Sequence, residues 1–210
     1  MAERPDAEQT ARPRLVLASA SPQRRGILAT LGLHFTVRPA RVDELERGDP
    51  AHVALHNALQ KAHAAVEQAA VAVPGAGEVV LGCDTLVWLD GQIHGKPSDE
   101  RAARATLSAL SGNTHTVISG VAVLGAGEPR TAVARTAVTF RWLSPELLDW
   151  YLASAEWRDR AGGYAIQGAG AALVRDVEGD FFNVVGLPLA SLLDIYPRLL
   201  RAHRKAPDVR

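Results

Sequence analysis

The sequence has few of the residues that define several common classes of protein. Its one cysteine, Cys83, can form neither an internal disulfide nor a cysteine metal cluster. Aromatic residues make up 5% of the chain and the formal net charge is zero. This composition offers little for stacking bases or tracking a phosphate backbone, so we expect no stable complex with nucleic acid.

Long apolar segments are also missing. No apolar run approaches the roughly 20 residues that a membrane span needs, and the polar segment before Arg14 lacks the apolar core of a signal peptide. We therefore expect a cytoplasmic protein without membrane association. The length of 210 residues fits one domain. We predict one domain, with or without two lobes, over residues 14–200, flanked by disordered tails at residues 1–13 and 201–210.

Lysine is rare among the basic residues. Twenty of the 23 cations are arginine, and the three lysines are Lys61, Lys96 and Lys205. A lysine kept in such a background indicates that a compact ammonium is needed in place of a planar guanidinium. Chance retention is an equally weighted alternative, and Lys205 lies in the polar tail.

The stretch from Val79 to Pro97 combines apolar runs with two charges. A first apolar run stops at Asp84, and a second reaches Asp90-Gly91, a strong hairpin signal. We interpret Asp84 as a strand end and place Lys96, after the return arm, at the same rim of a sheet. An acid and a base there suit phosphate chemistry. An ordinary hairpin with surface charges is an equal alternative on this stretch alone.

Residues 14–32 read as a strand, a loop of small residues and a helix. Ser21 suits the N-cap and Pro22 the first turn. Such a loop exposes backbone N–H groups at a helix N-terminus and favours anions, to which Arg24 and Arg25 add charge. The alternative is a plain capped helix with exposed arginines.

Helices and strands are mixed along the rest of the chain, which predicts an α/β (mixed α+β) fold. The helix at residues 51–70 carries His52, His56 and His63 near one stripe, where a solvated face is favoured over a metal site. The other predicted features are a short strand at 34–37, a helix capped by Ser98, strands at 114–124 and 131–142, a helix capped by Ser144, a glycine-dense loop at 160–170, a strand at 172–177, a loop at 179–188, and a last helix from Pro188 that Pro197 disturbs.

An ordered set of short motifs resembles the Maf family of nucleotide pyrophosphatases. The matching segments are residues 17–25 (LASASPQRR), 42–44 (VDE), 61–62 (KA), 82–85 (GCDT), 95–97 (GKP), 110–112 (LSG), 162–168 (GGYAIQG) and 183–188 (NVVGLP). The resemblance implies a central, strongly curved mixed sheet with two lobes flanking a deep cleft. It also implies hydrolysis of a nucleoside triphosphate to the monophosphate and pyrophosphate with Mg²⁺ or Mn²⁺, and a possible homodimer.

The resemblance also assigns candidate roles to charged residues. Arg24, Lys61 and Lys96 would neutralise the triphosphate while water attacks the α-phosphorus. Asp84 is the candidate general base. Glu44 is the candidate ligand of the divalent cation, with Asp84 as a possible second ligand, because hard cations prefer carboxylates. The two carboxylates could share or exchange these roles.

The residues expected to select the base depart from the family pattern at one position. Thr85 and Gln167 match the branch of the family that acts on dTTP and UTP, but Gln23 stands where that branch usually has arginine. A broader triphosphate preference is therefore left open. The candidate substrate-binding residues are Ser19, Ser21, Gln23, Arg25, Thr85 and Gln167.

Two other functions stay open from the sequence. One is a nucleotide-binding regulator of cell division that acts through a partner protein, and the other is an RNA-binding module that uses the same cleft. The presence of Asp84, Lys61 and Lys96 together favours the enzyme.

Overall fold

The computed structural model describes residues 13–70, 77–125 and 127–203 as a mixture of strands and helices. Over these ranges the strands are β1 (Arg14–Leu17), β2 (Phe35–Val37), β3 (Glu78–Leu89), β4 (Gln92–His94), β5 (Thr114–Leu124), β6 (Arg130–Phe140) and β7 (Val174–Glu178). The α-helices are α1 (Pro22–Thr30), α2 (Pro50–Ala70), α3 (Glu100–Leu110), α4 (Pro145–Ala153), α5 (Phe181–Val185), α6 (Leu189–Ile195) and α7 (Leu199–Ala202). The predicted α/β class is confirmed.

All seven described strands belong to one mixed sheet. Its order is β2-β1-β3-β5-β6-β7, and β4 pairs with β3 outside this path. Strand β1 runs parallel to β2 and β3, whereas the other pairs are antiparallel. On one edge of β3, β5 pairs continuously from Val80 to Trp88. On the other edge β1 pairs as far as Leu81 and β4 begins at Val87, so residues 82–86 have no described strand beside them there.

The predicted strand end at Asp84 is wrong, because β3 continues through this residue to Leu89. Pairing with β5 is uninterrupted across Asp84, and the carboxylate has polar partners, so its burial does not stop the strand. The predicted hairpin is confirmed: Asp90 and Gly91 have φ values of 48° and 82° between β3 and β4. Asp84 therefore lies at the gap between β1 and β4, rather than at the tip of a strand.

The helix caps match the sequence predictions in two of three cases. Ser21 caps α1 by accepting from the Arg24 amide, and Ser144 caps α4. The predicted cap Ser98 is wrong, because Asp99 accepts from the amide of Ala102 at 2.7 Å. Serine and aspartate are comparable caps, so the sequence alone did not separate these neighbours.

The last predicted helix divides at Pro197 into α6 and α7. The structure differs from the predicted start of the C-terminal tail at residue 201, because His203 is buried and its Nε2 lies 2.8 Å from the Tyr196 hydroxyl. Residues 1–12 and 204–210, with most of the predicted tails and Lys205, lie outside the described residues. So do residues 71–76.

Helix α2 packs very close to the sheet because two strand positions have no side chain. A Cβ at Gly82 would lie 2.1 Å from the carbonyl oxygen of Ala58, and a Cβ at Gly120 would lie 2.3 Å from that of Ala54. Gly120 is the β5 partner of Asp84. These glycines therefore let the polar residues of α2 reach Asp84. Within the described ranges, no helix combines the length and apolar character needed to span a membrane.

Candidate active site

The Asp84 carboxylate is held from α2 by two side chains. Its Oδ1 lies 2.7 Å from the Lys61 ammonium, and its Oδ2 accepts a hydrogen bond from the Asn57 amide at 3.0 Å. Asn57 and Lys61 are four residues apart and share one face of the helix. Asp84 and Lys61 are each 8% exposed. Since buried charges need partners, this pair fixes both side chains.

Glu44 extends the pair into a group of three charges. Its Oε1 lies 2.9 Å from the Lys61 ammonium, and its side chain is 41% exposed. One cation thus lies between two carboxylates, which leaves a net negative charge. The same helix holds the Glu44 loop, because the Asn57 side chain accepts from the Leu45 amide and donates to the Leu45 carbonyl.

A cleft of about 1150 Å³ opens beside this group. Asp84, Glu44 and Asn57 line one part of it, and Lys96, just after β4, lines another. Lys96 is exposed, whereas Lys61 is buried behind the two carboxylates that it contacts. Asp84 and Lys96 thus line the same cleft, but the predicted shared rim of the sheet is wrong, because Asp84 lies in the middle of its strand.

Arg24 forms a second buried cluster beside the same stretch of β3. Its Nε donates to the Gly186 carbonyl at 2.8 Å, while its Nη1 and Nη2 donate to the hydroxyls of Ser19 and Thr85 at 2.9 and 3.2 Å. The Thr85 hydroxyl also lies 2.8 Å from that of Ser119. These acceptors are all neutral, and no described carboxylate forms an ion pair with Arg24. The buried guanidinium thus gives this side of β3 a positive charge that an anion would compensate.

The other predicted substrate-binding residues do not all meet at the cleft. The Ser21 amide donates to the Ser19 hydroxyl, and the Ser21 hydroxyl donates to Gln23 Oε1 at 3.0 Å. Arg25 is exposed on α1. Gln23 and Gln167 together line two smaller cavities, of about 350 and 250 Å³. Thr85 connects the groups, because it lines the cleft and contacts Arg24.

Cysteine and histidine contribute no preformed metal centre to the described part of the chain. Burial raises the pKa of the Cys83 thiol, whose Sγ lies 3.4 Å from the Gly186 carbonyl oxygen, so Cys83 packs as a neutral thiol. Within residues 13–70, 77–125 and 127–203, no group of three or more histidine, cysteine or carboxylate side chains could hold a metal ion.

Comparison with known proteins decides the family. The family model described as Maf-like protein matches residues 14–199, nearly the whole described chain. The chain belongs to the Maf family. A Moorella thermoacetica protein named dTTP/UTP pyrophosphatase is 50% identical over 186 residues, which is 87% of this chain and 93% of the relative. Proteins of the same name from Myxococcus xanthus and Pyrococcus furiosus are 47% and 40% identical, covering 88% and 87% of this chain and 91% and 93% of the relatives.

The carboxylates of this Maf-family chain fit a divalent cation that arrives with phosphate. Glu44 and Asp84 both supply hard oxygen donors, and both contact Lys61. Mg²⁺ is commonly held by one or two carboxylates together with substrate phosphates, rather than by a closed protein cage. Two carboxylates at the cleft match that donor set.

Asn57 and Ser119 are the site residues that the sequence reasoning missed. Asn57 could have been found from its spacing, since it precedes Lys61 by one helical turn on the same face. Ser119 had no such signal, because its closeness to Thr85 depends on the register between β3 and β5.

Proposed function

We propose that this Maf-family enzyme hydrolyses dTTP and UTP to the monophosphate and pyrophosphate in the cleft beside Asp84. The observation that carries the proposal is the buried Lys61–Asp84 pair at the wall of a cleft large enough for a nucleotide. The relatives named dTTP/UTP pyrophosphatase support it, since each aligns over most of its length. Enzymes need charged groups in fixed positions for phosphoryl transfer.

Asp84 acts as the general base in this proposal. It accepts a proton from the water that attacks the α-phosphorus, and the pyrophosphate leaves from the opposite side. Lys61 and Asn57 each hold one carboxylate oxygen, which fixes the orientation of Asp84 before substrate arrives. Fixed orientation lowers the entropic part of the barrier.

Two cations, Lys96 and Arg24, stabilise the triphosphate in this proposal. Lys96 is exposed in the cleft, where it can contact phosphate oxygens, whereas Arg24 supplies a fixed positive charge next to Thr85, to which it donates a hydrogen bond. Glu44 and Asp84 would hold Mg²⁺ or Mn²⁺, which would neutralise phosphate charge when bound. Lys61 would then balance the remaining charge of these two carboxylates.

The nucleoside lies toward α1 in this proposal. Gln23 and Gln167 line shared cavities and carry amides that can hydrogen-bond to a base, while Thr85 lines the cleft and contacts Arg24. Ser19 and Ser21, with Arg25, complete the predicted substrate-binding set at the start of α1. We place the activity in the cytoplasm, and homodimer formation stays a prediction.

A product assay on the purified protein tests the proposal. With Mg²⁺ or Mn²⁺, dTTP and UTP should yield monophosphate and pyrophosphate, separated by chromatography, at a higher kcat/KM than CTP, GTP and ATP. Equal cleavage of all five would contradict the base preference while supporting the reaction. Nucleotide binding without any cleavage would contradict the enzyme and favour the regulator.

A further inference from the structure

Two residues that line one cavity each carry a buried polar atom without a hydrogen-bond partner. Among the described residues, such atoms include Glu156 Oε2 and Arg160 Nε. Both residues line the cavity of about 250 Å³ that also holds Gln23 and Gln167. The two side chains form no ion pair with each other, although their charges are opposite. Because buried polar atoms in native proteins are almost always paired, this cavity has the character of a binding site.

Because Gly168 has no side chain, the Glu156 carboxylate can occupy the space beside it. A Cβ at position 168 would lie 2.3 Å from Glu156 Oε2 and 2.7 Å from the carboxyl carbon. Any other residue there would displace the carboxylate from the cavity wall. The glycine at this position in the glycine-dense loop therefore makes room for the Glu156 carboxylate. Gly168 lines the same cavity as Glu156.

The cavity lies one residue from the cleft along one chain segment, and one residue from the Arg24 cluster along another. Arg160 lines the cavity and the next residue, Ala161, lines the cleft. Val185 lines the cavity, and the carbonyl of the following Gly186 accepts from both Arg24 and Thr85. A ligand with its phosphates in the cleft could therefore place a ring in the cavity.

We infer that Glu156 accepts a hydrogen bond from the ring N3–H of thymine or uracil and so helps to select these bases. The inference rests on the proposed function. The edge of these bases presents an N–H donor between two carbonyl acceptors. Glu156 supplies an acceptor, while the Arg160 Nε–H and the amide N–H groups of Gln23 and Gln167 supply donors. Cytosine, which has no proton on N3, would instead face the carboxylate with a lone pair.

The test removes the hydrogen bond from each side in turn. UTP is compared with N3-methyluridine triphosphate, which has lost the donor, on the wild type and on Glu156→Ala. The wild type should cleave the methylated substrate with a kcat/KM about 10- to 100-fold lower, the range expected for a hydrogen bond to a charged group. Glu156→Ala should reduce this preference to about threefold or less, mainly by losing activity on UTP.

Two further variants separate recognition from structural damage. Glu156→Gln keeps the shape of the side chain and should favour CTP relative to UTP, because an amide N–H can donate to the cytosine N3. Glu146→Gln changes an exposed glutamate on α4 and should leave the UTP preference unchanged. Thermal melting of each variant identifies loss of the fold.

Each outcome bears on a separate claim. Equal cleavage of UTP and N3-methyluridine triphosphate by the wild type would overturn the role of Glu156 even if every variant were unstable. An undiminished preference in a folded Glu156→Ala would do the same and would leave the cavity as a site for water. Failure of the wild type to cleave UTP at all would instead contradict the proposed function.

Discussion

Replacing Gly82 by alanine should disturb both the stability of the protein and its candidate site. The added Cβ would lie 2.1 Å from the Ala58 carbonyl oxygen and 2.9 Å from the Ala62 Cβ. A carbon and a carbonyl oxygen normally approach to about 3.3 Å. Because the obstacle is helix backbone, α2 would have to move by about 1 Å from β3.

The expected cost lies near the upper end for overpacking, about 3 kcal/mol in the free energy of unfolding. The displacement also acts on the site, since Asn57 directly precedes Ala58 and Lys61 directly precedes Ala62. Both side chains hold Asp84. A misplacement of about 1 Å at such a site can lower turnover by about 100-fold.

The matched control is Gly77→Ala, just before the same strand. A Cβ at Gly77 would meet no atom within 4 Å, and its φ lies outside the left-handed region. We expect a change between zero and about 1 kcal/mol in the stabilising direction, because alanine restricts the unfolded chain. Urea denaturation measures both free energies of unfolding, and dTTP hydrolysis measures turnover. If Gly82→Ala were as stable and active as the control, the close approach of α2 would not constrain the site.

Three further changes test other parts of the structure. Asp84→Asn should lower turnover by about 100- to 10,000-fold. It should melt within a few degrees of the wild type, because Lys61 keeps Glu44 as a partner. An unchanged kcat would contradict the role of Asp84 as the general base. Lys96→Ala should raise KM and lower kcat in dTTP kinetics, and an effect on neither would remove Lys96 from the phosphate site. Burial lowers the pKa of His115 to about 4 from 6.5. The unfolded chain therefore binds more protons between these values, so stability should fall by about 3 kcal/mol as pH drops from 6.5 to 4. The free energy of unfolding of His115→Gln, measured by denaturation over this pH range, should lack that part of the pH dependence. The same pH dependence in the variant and the wild type would contradict the role of His115.

Turns and helix caps could be predicted from the sequence, because each depends on one or two residues. The Asp90-Gly91 turn and the caps Ser21 and Ser144 were predicted because turn and cap geometry depends on a few adjacent atoms. The rarity of lysine pointed to Lys61 and Lys96; Lys96 lines the cleft, and Lys61 contacts two carboxylates that line it. Their catalytic roles stay predictions.

The arrangement of the site depended on contacts between distant segments. A carboxylate after an apolar run looks like a strand end, and only the pairing with β5 shows that β3 continues past Asp84. The contacts of Arg24 join residues up to 162 positions apart. The separation of Gln23 and Gln167 from the cleft likewise follows from the placement of α1 and the glycine-dense loop. Sequence spacing carries no information on such distances.

The gap beside residues 82–86 of β3 also bears on aggregation. An unpaired strand edge usually invites another chain to add a strand, and proteins must protect such edges. Here the free edge is only five residues long and is closed at its two ends by β1 and β4. A nucleotide can approach it from the cleft, but a strand of a neighbouring molecule has no room to align along it. The gap thus lets Asp84, Thr85 and Leu86 line the cleft without offering a template for intermolecular sheet growth.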